Sequence, residues 1–171
     1  MKQKTNANKE QMAVASAKNI VASYKHCVEI SNFLRFRSTG FAKQYLEKVI
    51  LKEQAIPFIR FYHNVGHRVG MSAGRYPVKA AQEFLHLIKS VEENAQFKGL
   101  NPAHLKIVKL VANKASSPAT GGRFRTKSKR SHIDIEVQEI AFKEPKKESK
   151  KNPQGKETAA PKASEKKVKP Q

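Results

Sequence analysis

The sequence predicts an α+β fold: a small antiparallel sheet with helices packed on one face, a long protruding β-hairpin, and basic disordered tails. Three observations carry this. An apolar run at Leu105–Val111 is answered by a strictly alternating strand, Ile133-Asp134-Ile135-Glu136-Val137. Two stretches upstream repeat their apolar residues at three- and four-residue spacing, as amphipathic helices do. Both ends of the chain are rich in Lys and poor in large apolar residues, so they cannot offset their chain entropy by burial.

Taken in order, residues 1–20 read as an N-terminal arm, disordered or extended, because Met12 and Val14 form only a weak apolar pattern. A globular domain over 21–140 follows. It opens with an expected short strand at Val21–Glu29, in which Ala22, Tyr24, His26 and Val28 share one side and Cys27 points to the other. Ser38 or Thr39 then caps a helix whose Phe41, Ala42, Tyr45, Leu46 and Val49 form an apolar stripe ending before Pro57. Ile56–Arg75 carries Pro57, Gly66, Gly70 and Gly74 among spaced basic residues, which predicts a long irregular binding loop.

Pro77 suits the first turn of a second helix, with Ala81, Phe84, Leu85, Ile88, Val91 and Ala95 as its stripe and Gly99 closing it. Asn101-Pro102 makes a turn or short capped helix. The β-hairpin spans 105–137, and its extension beyond the sheet, about 113–131, gives each arm roughly nine residues, or about 30 Å at the rise of a strand. An isolated ribbon of that length is marginal in water and needs a surface to order it. A basic disordered tail over 141–171 completes the chain.

The 171 residues carry a net charge of +20. Self-repulsion of that size opposes compaction unless a polyanion neutralises it, so nucleic acid is the expected partner. No acidic residue occurs from Asn94 until Asp134, a span that includes Lys114, Arg123, Arg125, Lys127, Lys129 and Arg130. At the tip, Gly121-Gly122-Arg123-Phe124-Arg125-Thr126 combines close backbone approach, forked guanidinium groups for phosphate, and a Phe124 ring that suits stacking on a base. Arg60, His63, Arg68, Arg75 and Lys79 form a second basic set, with Arg75 and Lys79 flanking a helix start where terminal amides favour anions. Solvated surface charge is the bland alternative for these.

One cysteine, Cys27, allows neither an intrachain disulfide nor a Cys-rich zinc site. No run approaches the ~20 apolar residues of a membrane span, and no membrane partner is expected. His63 and His67 are four apart, but Gly66 lies between them and no third ligand is close, so no metal and no other cofactor is expected. Nucleophile, base and orienting group recur in no known spacing, which argues against an enzyme.

Several stretches resemble one family. They are Tyr45-Leu46-Glu47-Lys48-Val49 with Pro57-Phe58, Asn64-Val65-Gly66-His67, Gly74-Arg75-Tyr76-Pro77-Val78-Lys79, Glu83-Phe84-Leu85, Asn94-Ala95, Lys98-Gly99-Leu100, Asn113-Lys114-Ala115 and Ser131-His132-Ile133. Their order, from about Ala22 to Glu139, resembles the universal ribosomal large-subunit family numbered twenty-two in bacteria and seventeen in the eukaryotic and archaeal scheme, the latter branch being nearer. The resemblance implies a structural constituent of the cytosolic large subunit, assembled in the nucleolus if the organism is eukaryotic. It implies a body bound to rRNA among neighbouring ribosomal proteins near the peptide exit tunnel, and a hairpin tip lining the tunnel beside the nascent polypeptide. By position it assigns rRNA contacts to Arg60, His63, Arg68, Arg75 and Lys79 and to the hairpin residues Lys114, Arg123, Arg125, Lys127, Lys129 and Arg130.

The sequence departs from the family in two places. Asn32-Phe33-Leu34-Arg35-Phe36-Arg37 is more aromatic and basic than usual, and the insert between Ala115 and His132 is shorter, with Ser116-Ser117-Pro118-Ala119-Thr120 where basic residues are customary. The alternative on composition alone is a free nucleic-acid-binding protein, an RNA chaperone or a chromatin component.

Overall fold

The computed structural model describes residues 12–121, 123 and 126–140. Its main sheet has the order β1-β5-β4, all antiparallel, with β1 at Met12–Ile20, β4 at Leu105–Lys114 and β5 at Ser131–Glu139. Alternation decides which face is buried. Ile133, Ile135 and Val137 of β5 point inward, opposite Ile107, Leu110 and Ala112 of β4 and Ala13, Ala15 and Ala17 of β1. Val108 is the extra residue of a bulge, so Ile107 and Leu110, three apart, both reach the core.

Helices α1 (Tyr24–Leu34), α2 (Thr39–Ile50) and α3 (Val78–Phe97) lie on that inner face, α1 against β4 and α3 against β1, with α2 packed on α3. The expected stripe of α3 is buried throughout, as are Ala42, Leu46 and Val49 of α2. Ser38 is the cap of α2, its Oγ accepting from the Phe41 amide, and Pro77 stands one residue before α3 rather than in its first turn. Gly99 (φ +75°) closes α3 in the left-handed region that glycine tolerates, and Asn101 caps the 3₁₀ turn at Pro102–His104.

Three expectations change. The segment Val21–Glu29 is not a strand: from Tyr24 onward it forms the start of α1, which buries Cys27, Ile30, Ser31 and Leu34 at helical spacing. Two polar residues on the buried face, Glu29 and Ser31, hide this period in the sequence. Residues 12–20, placed in the N-terminal arm, form β1 of the core sheet, where Ala side chains contribute almost no hydrophobic signal. The loop 56–75 holds a two-stranded sheet of β2 (Ile56–Pro57) and β3 (Gly74–Arg75). Gly74 is packed closely there: an added Cβ would lie 2.6 Å from Met71 Sδ, and that side chain would have to shift.

The sheet ladder runs to the Lys114–Ser131 pair, two residues past the expected end at Ala112. Beyond it the hairpin is not a continuous ladder. Pro118 has no N–H to give, and among the described residues the arms meet through Ala115 N to Arg130 O (3.1 Å), Ser128 N to Pro118 O (2.9 Å) and Thr120 N to Thr126 O (3.0 Å), with the Thr120 hydroxyl also on Thr126 O (2.8 Å) and Thr126 Oγ1 (2.6 Å). Both sheet edges are covered. The Phe36 N–H donates to Ile107 O and the Ile107 N–H to Arg37 O along β4, while Asn94 Nδ2 and Lys98 Nζ donate to the Val14 and Met12 carbonyls of β1. The arm at 1–11 and the tail at 141–171 lie outside the described residues.

Candidate nucleic-acid interface

The root of the hairpin, the first turn of α1 and the loop before α3 meet around Ser23-Tyr24-Lys25-His26. Three adjoining depressions open there. One, of about 540 Å³, is lined by Ser23, His26, Val78, Lys79, Lys127 and Lys129. A second, of about 810 Å³, is lined by Lys25, Lys114, Lys127, Lys129 and Arg130. The third is lined by Lys25, His26, His63, Arg75 and Lys129. Ser23 and Lys129 border all three, and no carboxylate lines any of them among the described residues.

The backbone adds to this field. The first turns of α1 and α3 both open onto the first depression, neither contains an acidic residue, and neither has a side-chain cap. Apart from the Val78 N–H, which donates to Tyr76 O (2.9 Å), the amides of these first turns add partial positive charge at this end. His26 lies edge-on against Phe58 with 5.6 Å between ring centroids, and burial, then the charges of Arg75 and Lys129, hold its imidazole below the usual histidine range. The Arg130 Nε is buried with no hydrogen-bond partner among the described residues, a donor still short of an acceptor.

What holds the loop against α1 is Glu29. Its carboxylate is 1% exposed and accepts from the amides of Ile59 (3.1 Å), Arg60 (2.9 Å) and Phe61 (2.6 Å). These bonds seat Phe61 beside Tyr24, with Lys25 Nζ and the Arg60 guanidinium each 5.5 Å from its ring centroid.

Seven residues singled out from sequence thus converge here: His63, Arg75, Lys79, Lys114, Lys127, Lys129 and Arg130. Arg60 joins through Phe61. Arg68 lines none of the three: it stacks on Tyr76, 5.2 Å from the ring centroid, and lines a fourth depression with Tyr45 and Glu53, touching the first depression only through the Tyr76 ring. Arg123 is exposed in the tip, and Phe124 and Arg125 lie outside the described residues. His63 stacks on Tyr62 while His67 Nδ1 lies 2.5 Å from Ser72 O, and no group of three or more metal-ligating side chains occurs among the described residues. Sequence reasoning missed Lys25, His26 and Glu29, because a strand reading of Val21–Glu29 scatters side chains that a helix gathers.

Comparison with known proteins meets this geometry. The family model described as ribosomal protein L22p/L17e matches residues 15–138. The chain belongs to this family. The large ribosomal subunit protein uL22 of Methanoculleus marisnigri is 41% identical over 141 residues, covering 77% of this chain and 92% of that protein. Its counterpart in Ignicoccus hospitalis is 37% identical over 145 residues (78% and 91%), and that of Thermoplasma volcanium 47% over 92 residues (54% and 62%). As an L22p/L17e protein the chain is a structural ribosomal constituent and not an enzyme. The match begins at residue 15, inside β1, which agrees with the place of that strand in the core sheet.

Proposed function

We propose that this L22p/L17e protein binds rRNA of the large ribosomal subunit through the Lys129-centred crevice, and that its hairpin runs on to line the peptide exit tunnel. The observation that carries the reading is the crevice itself. The fold brings basic residues from 25–26, 63–79 and 114–130 to three adjoining depressions that no carboxylate lines among the described residues, at a cost in mutual repulsion that a phosphate backbone relieves. The orphan donor on Arg130 and the uncapped helix starts are further groups that phosphate oxygens would satisfy. Shape and charge at the root hold the body on RNA, and the named relatives supply the particle.

From there the sparse hydrogen bonding of 115–130 suits a segment ordered by what surrounds it. In the particle, Arg123, Phe124 and Arg125 at the tip face the tunnel wall and the nascent polypeptide, neighbouring ribosomal proteins border the body, and the site of action is the cytoplasmic ribosome, with nucleolar assembly in a eukaryote. Sedimentation tests the reading: tagged protein is expected in large subunits and polysomes. Tagged protein confined to light fractions while large subunits form without it would refute the assignment. Equal affinity for duplex DNA and ribosomal RNA would instead favour a free nucleic-acid-binding protein.

A further inference from the structure

At the opposite end of α1 from the crevice, Phe36 and Arg37 form an exposed pair that the crevice does not use. Phe36 has φ +66° and is 63% exposed. A bulky L residue is strained there, and glycine or asparagine is the ordinary occupant. Its amide is fixed by the hydrogen bond to Ile107 O (2.9 Å), so the strain is held by the sheet edge. The ring makes no aromatic or cationic contact among the described residues.

Arg37, next in the chain, is immobilised. Its guanidinium carbon lies 4.4 Å from the Phe33 ring centroid and 4.7 Å from that of Phe41, and Nε donates to Phe33 O (2.9 Å). Phe41 in turn stacks on Tyr45. The two terminal nitrogens have no partner among the described residues, and neither Arg35 nor Arg37 has a carboxylate within ion-pair distance there. A flat guanidinium held over two rings is a ready fork for two oxygens of one anion.

We propose that Phe36 and Arg37 bind one nucleotide of single-stranded RNA, the base stacked on Phe36 and its phosphate forked by Arg37. The strain at Phe36 marks a residue kept for something outside the fold. An exposed aromatic next in the chain to a preset cationic fork offers the two chemistries that a base and its phosphate present, since every base has a π face. The charge of the chain, +20, favours RNA over a protein partner. This second contact rests on the RNA-binding reading above and lies apart from the Lys129 crevice.

The test uses the full-length chain with two labelled strands of equal length, oligouridine and its abasic counterpart, read by fluorescence anisotropy. Phe36→Gly is expected to weaken oligouridine binding about tenfold, the size of one base–aromatic stack, while leaving the abasic strand unchanged. Its melting temperature should hold or rise, because glycine relieves the strained backbone, and Phe36→Tyr should retain wild-type affinity. Arg37→Lys keeps the charge and loses the fork, so both strands should weaken about threefold. Wild-type binding by both Phe36→Gly and Arg37→Lys overturns the proposal, as does an equal loss on both strands with Phe36→Gly. If the wild-type chain itself binds neither strand, the RNA-binding reading falls with it. Variants that bind both strands normally but no longer co-sediment with large subunits would mean a protein neighbour covers the patch, which also overturns it.

Discussion

Replacing Glu29 by Gln tests how the interface is held together. The carboxylate is buried and accepts three backbone amides at 2.6–3.1 Å, two on Oε1 and one on Oε2. Glutamine keeps the size but has one acceptor oxygen. If that oxygen serves Arg60 and Phe61, its NH2 group faces the Ile59 N–H, and a donor meets a donor. One charge-assisted bond disappears outright, two are weakened to neutral strength, and one amide is left unsatisfied, together about 3 kcal/mol. For a domain of this size that corresponds to a fall in melting temperature of about 10 °C. Thermal melting of the full chain followed by circular dichroism measures it, and amide exchange should quicken first at residues 59–61. A shift below about 2 °C, with exchange unchanged at those amides, would mean that the carboxylate does not anchor the loop. Because Arg60 and His63 ride on that loop, RNA affinity should fall alongside stability.

Three other outcomes are expected. Lys127→Ala with Lys129→Ala should weaken rRNA binding and reduce the slope of log affinity against log salt by about 2, nearly one unit for each phosphate no longer neutralised; an unchanged slope would remove these lysines from the interface. Burial pushes the Cys27 thiol up to about 11, so it should resist a thiol reagent at pH 8 until the protein unfolds, and rapid labelling of the native chain would contradict its place in the core. His26 is held below the usual histidine range, so the folded state disfavours its protonation. The stability tied to its neutral ring is full above the unfolded-state pKa and is lost as pH falls through the lower folded-state value. Acid melting of a His26→Gln chain should lack that component, and superimposable pH profiles for the two proteins would refute it.

Sequence alone determined the elements whose own side chains repeat. The stripe Ala81–Ala95 defined α3, the cap and stripe from Ser38 defined α2, and the alternation Ile133–Val137 located the central strand and its inner face. Strong periodicity survives in any surroundings, because each such element must bury one face. The net charge likewise pointed to a nucleic-acid partner and the ordered motifs resembled a ribosomal family, and most of the basic residues named from sequence do face one crevice.

Only the tertiary structure decided the rest. β1 is a strand because β5 and α3 flank it, not because Ala13, Ala15 and Ala17 prefer one. α1 is a helix whose buried face admits Glu29, since three amides of a distant loop satisfy the carboxylate. Arg68 carries the same charge as Arg75 yet lines a different depression and meets the crevice only through the Tyr76 ring, and Lys25 and His26 enter it only because α1 is helical. The physical reason is common to all of these. Periodicity reports what a segment needs to bury, whereas a buried polar group, an edge strand or a shared cationic pocket depends on partners that lie far off in the chain.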